Sequence, residues 1–127
     1  MAMPIRLVIC DDTADLRRML SIVIGLESDI VVVGEASNGR EAIEMAGSLQ
    51  PDVMLLDVSM PVMDGIEALP SIREVSPGTA IVMLTGFASD KVRAEATSAG
   101  ANGFVEKGSD VAVVVRSVRS AMAAVPT

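Results

Sequence analysis

The chain has 127 residues, half of them hydrophobic, and carries a net charge of −7 with no histidine, tryptophan or tyrosine. This length suits one domain with one core, and the hydrophobic content excludes a disordered chain. Lys and Arg form no basic run, which argues against a nucleic-acid surface. No apolar stretch approaches the roughly 20 residues of a membrane span. The absence of histidine excludes imidazole acid–base catalysis, imidazole zinc sites and a phosphohistidine carrier.

The cellular location follows from the N-terminus and from the cysteine count. Residues 1–12 have no basic segment followed by a long apolar one, so we expect no signal peptide. The single cysteine, Cys10, follows an apolar run and is interpreted as a buried small residue. Both features suit a reducing compartment, and we expect a cytoplasmic protein without a membrane partner.

Five short apolar runs alternate with five segments that have helical spacing. An apolar run bounded by turn residues predicts a buried strand, and apolar residues three and four apart predict an amphipathic helix. The predicted strands are residues 5–10, 30–36, 53–57, 80–84 and 103–105. The predicted helix caps are Thr13, Asn38, Asp64, Ser89 and Ser109 or Asp110.

The inner faces of the first and last helices are read from their spacing. We predict that the first helix runs to about Leu26 and buries Leu16, Met19, Leu20 and Val23. The last helix is predicted to bury Val111, Val114, Val115, Val118 and Met122. Strict alternation of strands and helices predicts an α/β fold with a parallel sheet. Right-handed crossovers then favour a flavodoxin-like (βα)5 three-layer sandwich with strand order 2-1-3-4-5.

Polar residues stand at the carboxyl ends of four predicted strands. Asp11 and Asp12 follow the first strand, Asp57 ends the third, Thr85 follows the fourth and Lys107 follows the fifth. Taken singly, the acid pair has a simpler interpretation as helix caps, and Thr85 and Lys107 as solvated loop residues. In a parallel sheet, however, these strand ends lie on one edge, so all five side chains can converge.

The convergence has a coherent chemistry. Three carboxylates close together repel and need a cation, and oxygen ligands favour a hard ion such as Mg²⁺. Lys107 supplies a positive charge and Thr85 a hydroxyl, the groups that suit phosphoryl oxygens. A carboxylate can itself be the nucleophile that accepts phosphoryl, and we interpret Asp57 as that group.

Four motifs carry a resemblance to a known family. They are the pair Asp11-Asp12, the stretch 55–65 (LLDVSMPVMDG), Leu84-Thr85-Gly86, and the stretch 104–107 (FVEK). With these motifs the chain resembles the receiver domains of bacterial two-component response regulators, from Arg6 to about Ala124. The stretch from Leu84 to Lys107 is most similar to receivers attached to helix-turn-helix transcription factors.

The resemblance implies roles for the acidic residues. Asp57 would take a phosphoryl group from the phosphohistidine of a sensor histidine kinase. Mg²⁺ would be held by Asp12, Asp57 and the backbone carbonyl of Ser59, with Asp11 helping through water. The domain would catalyse at most its own phosphorylation and dephosphorylation, so we do not expect an enzyme in the ordinary sense.

The resemblance also implies how the signal would leave the site. Thr85 would bind the phosphoryl group and shift toward it, Phe104 would turn inward when Thr85 moves, and Lys107 would pair with the phosphoaspartate. The surface of the last two helices would change, and this surface is a possible homodimer interface. We expect one receiver domain over residues 1–127 with a core of about 5–124. It would act through protein contacts or belong to a longer regulator whose C-terminal output domain could bind DNA.

Two alternatives use the same residues. A small phosphatase of the haloacid-dehalogenase type would use Asp57 as nucleophile, but that family has a second acid two residues later, where Ser59 stands here. A flavin-binding flavodoxin-like module would need a phosphate-cradling loop after the first strand, where Asp11 and Asp12 would repel phosphate. Two departures from the receiver pattern are Gly108, where many receivers have proline, and Pro70 within the third helix.

Overall fold

The structure is a computed structural model that describes residues 3–86 and 89–124. The strands are Ile5–Cys10 (β1), Ile30–Ala36 (β2), Val53–Asp57 (β3), Ala80–Thr85 (β4) and Gly103–Glu106 (β5). The helices are Ala14–Ile24 (α1), Gly39–Leu49 (α2), Gly65–Val75 (α3), Asp90–Ser98 (α4) and Val111–Ala124 (α5). The first two and last three residues of the predicted 1–127 domain lie outside the described residues. Within the described ranges, no helix combines the length and apolar character that crossing a membrane requires.

The five strands form one parallel sheet in the order β2-β1-β3-β4-β5, which confirms the predicted flavodoxin-like fold. Every residue of β3 is buried, because this strand is central and both of its faces are covered. The register of β1 against β2 shifts between Leu7 and Val8, which pair with Val32 and Gly34. The predicted strand 30–36 therefore forms over its whole length with a one-residue irregularity before Gly34.

The alternation of side chains along each strand divides the core into two clusters. Leu7, Ile9 and Leu55 face a cluster that includes residues of α1 and α5. Val8 and Met54 face the opposite cluster, which includes residues of α2, α3 and α4. Since successive strand residues point to opposite faces, a continuous apolar run serves both clusters and gives the three-layer sandwich.

The predicted inner face of α1 is partly wrong. Leu20 and Ile24 are buried, whereas Met19 is 41% exposed and Val23 is 37% exposed. The helix carries two apolar stripes, and packing against β1 and α5 selects the stripe with four-residue spacing, which includes Leu16. In α5 the same kind of shift leaves Met122 exposed and buries Ala121 in its place.

The predicted helix caps form at the starts of α2, α3, α4 and α5, whereas the Thr13 side chain makes no cap hydrogen bond at the start of α1. Asp64 and Glu67 make a complete capping box, with the Asp64 carboxylate 2.8 Å from the Glu67 nitrogen. Asn38 accepts a hydrogen bond from the Glu41 nitrogen at 2.9 Å. Asp110, rather than Ser109, caps α5, because its Oδ1 accepts from the Ala112 nitrogen at 3.2 Å. These caps fix where each helix starts after its strand, and so where the loops at the carboxyl edge of the sheet lie.

Candidate functional site

The strand register brings the predicted site residues to one edge of the sheet. Asp57, the last residue of β3, pairs with Leu84 of β4. Thr85, the last residue of β4, pairs with Glu106, which immediately precedes Lys107. Because all strands are parallel, the loops after β1, β3, β4 and β5 open at this same edge. This edge is where the sequence predicted the site.

The centre of the site is an ion pair between Asp57 and Lys107. The Asp57 side chain is 1% exposed, and its Oδ2 lies 2.7 Å from the Lys107 ammonium. Its Oδ1 accepts a hydrogen bond from the Ser59 backbone nitrogen at 3.1 Å. The same ammonium lies 3.2 Å from Oδ2 of Asp11, which is fully buried. One ammonium ion therefore lies between two buried carboxylates. The net charge of these three groups is negative, which favours the binding of a further cation.

Asp11 is held rigidly, yet one of its oxygens lacks a hydrogen bond. Its Oδ1 accepts from the Thr13 nitrogen at 2.8 Å, and its backbone carbonyl accepts from the Arg17 guanidinium at 2.6 Å. Thr13 stands at the predicted cap position, but its side chain makes no cap hydrogen bond among the described residues. Oδ2 is buried and accepts no hydrogen bond of good geometry from any described residue. This oxygen pairs with the Lys107 ammonium at 3.2 Å, a cation that it shares with Asp57, so it suits a ligand that supplies further positive charge.

Burial and charge shift the pKa values of the ion pair. Burial is the main cause that raises the pKa of Asp57 to about 6; the Asp11 charge acts in the same direction, and the hydrogen bond from Lys107 opposes the shift. For Lys107, burial favours a lower pKa, but the hydrogen bonds and charges of Asp57 and Asp11 outweigh it and raise the pKa. Asp57 is thus a carboxylate whose ionised form is disfavoured until more positive charge arrives.

Three carboxylates form a group that can hold a metal ion. One carboxylate oxygen each of Asp11, Asp12 and Asp57 lies within 4.8 Å of the others. Asp12 is exposed, so the group is open to solvent on one side and closed on the other. Oxygen-only donors suit a hard divalent cation that keeps several waters. Asp11 belongs to this group, and its buried carboxylate has only a shared ammonium ion to balance it, so the residues present fit a cation.

Thr85 and Phe104 lie on the side of the site toward α4 and α5. Thr85 is 2% exposed, and its backbone carbonyl accepts from the Lys107 nitrogen at 2.7 Å. Phe104 pairs with Met83 of β4 and packs, partly buried, against the cluster beneath α4. The Arg93 guanidinium lies over the Phe104 ring, 5.0 Å from its centroid. This contact was not predicted, because no sequence pattern links these two positions.

The loop between β3 and α3 is tightly built. The nitrogen of Gly65 donates to the Val58 carbonyl at 3.0 Å, and a Cβ at Gly65 would lie 2.2 Å from the Asp57 carbonyl oxygen. Val62 adopts φ +68 and is 80% exposed, in a tight turn where the Met63 nitrogen donates to the Pro61 carbonyl at 2.7 Å. Sequence reasoning included these residues in a motif without identifying their steric role. The Asp-Gly pair was the available signal, since close backbone approach requires glycine.

The backbone after Lys107 differs from the proline-containing pattern of many receivers. No peptide bond is cis in residues 3–86 and 89–124, so the Lys107–Gly108 bond is trans. Gly108 instead adopts φ +87, a left-handed conformation that glycine enters without steric cost. Pro70 lies within α3, as predicted.

Comparison with known proteins agrees with this fold. The sequence profile of the response regulator receiver domain matches residues 7–119. The chain is 43% identical over 107 residues to a protein-glutamate methylesterase/protein-glutamine glutaminase of Vibrio parahaemolyticus, covering 83% of this chain and 29% of that protein. It is 35% identical over 114 residues to the transcriptional regulatory protein LnrK of Bacillus subtilis, covering 90% of this chain and 52% of that protein. The solved receiver domain of NarL from Mycobacterium tuberculosis matches with a TM-score of 0.91 and 29% identity, covering 97% of this chain and 99% of that one.

The fold and the acidic edge define a signalling domain of the two-component class. The chain belongs to the response regulator receiver domain family, which confirms the predicted resemblance. It spans 29% and 52% of the lengths of the two curated relatives, one of which is a transcriptional regulator. Neither the phosphatase alternative nor the flavin-binding alternative finds support in these comparisons.

Proposed function

We propose that Asp57 accepts a phosphoryl group from the phosphohistidine of a sensor histidine kinase and that Mg²⁺ is required. The observation that carries the proposal is the position of the Asp57 carboxylate, which is buried and held at both oxygens by Lys107 and the Ser59 nitrogen. In the transfer, a bond forms between an Asp57 oxygen and phosphorus while the phosphorus–nitrogen bond breaks. The electron pair of that bond stays on the imidazole of the donor.

The residues around Asp57 have separate tasks in this proposal. Asp12, Asp57 and the carbonyl of Ser59 would hold Mg²⁺, with Asp11 helping through water. When bound, the ion would supply the positive charge that makes a dianionic phosphoryl group acceptable beside three carboxylates. Lys107 keeps its contact with the phosphorylated Asp57, and the buried position limits attack by water. The Oδ2 of Asp11 supports this assignment, because it accepts no hydrogen bond of good geometry from the described residues and can accept one from a water of a hydrated cation.

The output of the domain is proposed to pass through Thr85 and Phe104 to the surface of α4, β5 and α5. Thr85 binds the phosphoryl group and moves toward it, and Phe104 turns inward. The changed surface then self-associates weakly about a two-fold axis. Sedimentation velocity with and without beryllofluoride tests this step, and an activated protein that stays monomeric at high concentration would contradict it.

The kind of output is proposed from one of the relatives. Similarity to LnrK favours transcriptional control through an output domain joined to the receiver. DNA would then be bound by that domain rather than by this acidic one, which carries a net charge of −7. The alternative output is a receiver that acts on its partners through protein contacts alone, without a DNA-binding domain.

The phosphorylation site is tested by intact-mass measurement after treatment with acetyl phosphate. We expect the mass of one added phosphoryl group in the wild type with Mg²⁺, and none in Asp57→Asn or after chelation. The matched control is Asp64→Asn, which changes another acid of the same loop, one that caps α3 and that asparagine can replace as a cap. Equal labelling of Asp57→Asn and the wild type would remove Asp57 from the site.

The metal ligand is tested by thermal unfolding. A ligand that binds only the folded state stabilises it by about 2.7 kcal/mol at a hundredfold excess over its dissociation constant. We expect Asp12→Asn to lose most of the Mg²⁺-dependent rise in Tm. The control Asp15→Asn removes another exposed acid near the start of α1 and should keep the full response. Identical responses of Asp12→Asn and the wild type would exclude Asp12 as a ligand.

A further inference from the structure

The guanidinium of Arg93 lies over the aromatic face of Phe104. The distance from Cζ to the ring centroid is 5.0 Å, within the range of a cation–π contact. Arg93 is exposed on α4, and no carboxylate among the described residues lies within ion-pair distance of it. Its charge is therefore not engaged by a described acid, and the ring is the partner that the geometry gives it.

Phe104 shares one face of the sheet with Thr85. It pairs with Met83 across β4 and β5, and Thr85 stands two residues after Met83 on the same strand. Since strand side chains alternate with a period of two, Met83 and Thr85 point to the same face, and so does Phe104. That face is the one that α4 covers, where Ala96 is buried. Arg93 thus contacts the ring from the helix that packs over both residues.

Phe104 is only partly buried, so the core does not enclose its side chain completely. The residue also borders a groove of about 420 Å³ between β5 and α5, with Val113, Arg116 and Ala121 among the other lining residues. The position of the ring beneath Arg93 is therefore not imposed by a fully enclosed core site. A contact that selects among ring orientations must come from a specific neighbour.

We propose that Arg93 is a positioning residue that holds Phe104 in the observed orientation, with the ring beneath the guanidinium, and so sets the threshold for activation. This inference rests on the proposed function, in which Phe104 turns inward when Asp57 is phosphorylated. A contact present only in the inactive conformation stabilises that conformation. By linkage it weakens the binding of any group that favours the active one by the same factor.

The size of the effect follows from the strength of the contact. An exposed cation–π contact contributes about 0.5–1 kcal/mol, which corresponds to a factor of about two to five in an equilibrium constant. We therefore expect Arg93→Gln to bind beryllofluoride with Mg²⁺ about two to five times more tightly than the wild type. The expected increase in affinity is informative, because the loss of a positive charge from an acidic protein would by itself weaken the binding of an anion.

The composition of the chain supplies the readout. It has two phenylalanines and no tryptophan or tyrosine, so ring resonances of ¹³C-labelled phenylalanine are few. Those of Phe104 are assigned by their loss in Phe104→Leu. Titration with beryllofluoride at constant Mg²⁺ gives the apparent affinity from backbone amide resonances in every variant. We also expect the Phe104 ring resonances to shift in Arg93→Gln before any ligand is added.

Four variants make the test specific. Arg93→Lys keeps a cation at this position, so its affinity for beryllofluoride should lie between that of Arg93→Gln and the weaker affinity of the wild type. Lys91→Gln, which removes an exposed charge from the same helix, should not tighten binding. In a Phe104→Leu background, Arg93→Gln should have no further effect, because the contact is already lost. Tightening that persists in this double variant would overturn the proposal.

The failure of this inference is distinguishable from the failure of the proposed function. A wild type that binds no beryllofluoride with Mg²⁺ overturns both. A wild type that binds it, together with an Arg93→Gln variant of equal or weaker affinity, overturns only the role of Arg93. Melting temperatures of the variants, measured alongside, show whether a changed affinity accompanies a changed stability of the whole fold.

Discussion

Replacing Asp57 by asparagine should stabilise the metal-free domain at neutral pH. The pKa of Asp57 is raised by burial from 3.8 to about 6, so the folded state disfavours the ionised carboxylate. A shift of about two units corresponds to roughly 3 kcal/mol of differential free energy. Asparagine has nearly the same shape without the charge, but it loses the ionic hydrogen bond from Lys107. We therefore expect Asp57→Asn to unfold with a free energy about 1–3 kcal/mol above that of the wild type.

The pH dependence has a definite sign. Below pH 3.8 the carboxyl is protonated in both the folded and the unfolded chain, so the charge has no effect on stability. Between pH 3.8 and about 6 the unfolded chain releases its proton first, and the wild type loses stability relative to Asp57→Asn as pH rises. Above pH 6 the difference stays constant. The two proteins should thus be similar near pH 3.5 and differ most above pH 6.

Chemical denaturation in a chelator across this pH range measures the difference, and thermal unfolding provides a second observable. A difference of 1 kcal/mol corresponds to roughly 3–6 °C in Tm for a domain of this size. With Mg²⁺ we expect the wild type to become the more stable of the two proteins. In the proposed function Asp57 is a ligand of the ion, and the Asp57→Asn variant has one carboxylate ligand fewer. A variant that is less stable than the wild type at pH 7.5 without metal would refute the argument from burial.

Three further substitutions test the construction around the site. Gly65→Ala should lower the unfolding free energy by at least about 3 kcal/mol, because the Cβ of the alanine would lie 2.2 Å from the carbonyl oxygen of Asp57. A Tm within a few degrees of the wild type would contradict this close approach. Val62→Asn should raise the unfolding free energy by about 1 kcal/mol, since asparagine tolerates the φ of +68 better than a β-branched residue does, and denaturant unfolding measures it. Arg73→Met should lower the unfolding free energy by about 2 kcal/mol and speed amide exchange near Gly100, whose carbonyl accepts from the Arg73 guanidinium at 2.8 and 3.1 Å; unchanged exchange there would show that the loop is held by other contacts.

Local sequence signals determined most of the fold. Each strand shows as an apolar run, and β3 reads as a central strand because all of its residues are apolar up to Asp57. The capping box of Asp64 and Glu67 marks the start of α3. Alternation of strands and helices then limits the topology, and with it the edge at which Asp57 and Lys107 meet. These signals act over a few residues, so the chain itself carries them.

Contacts between distant residues decided what the local signals left open. In α1 two apolar stripes were available, and packing against β1 and α5 buried Leu20 and Ile24 while exposing Met19. The sequence predicted that Lys107 lies near Asp57. Only the tertiary structure showed that the Lys107 ammonium also contacts Asp11. The contact of Arg93 with Phe104 has no sequence signature at all. The physical reason is that periodicity and capping depend on neighbours along the chain, whereas side-chain orientation depends on which surfaces the folded chain brings together.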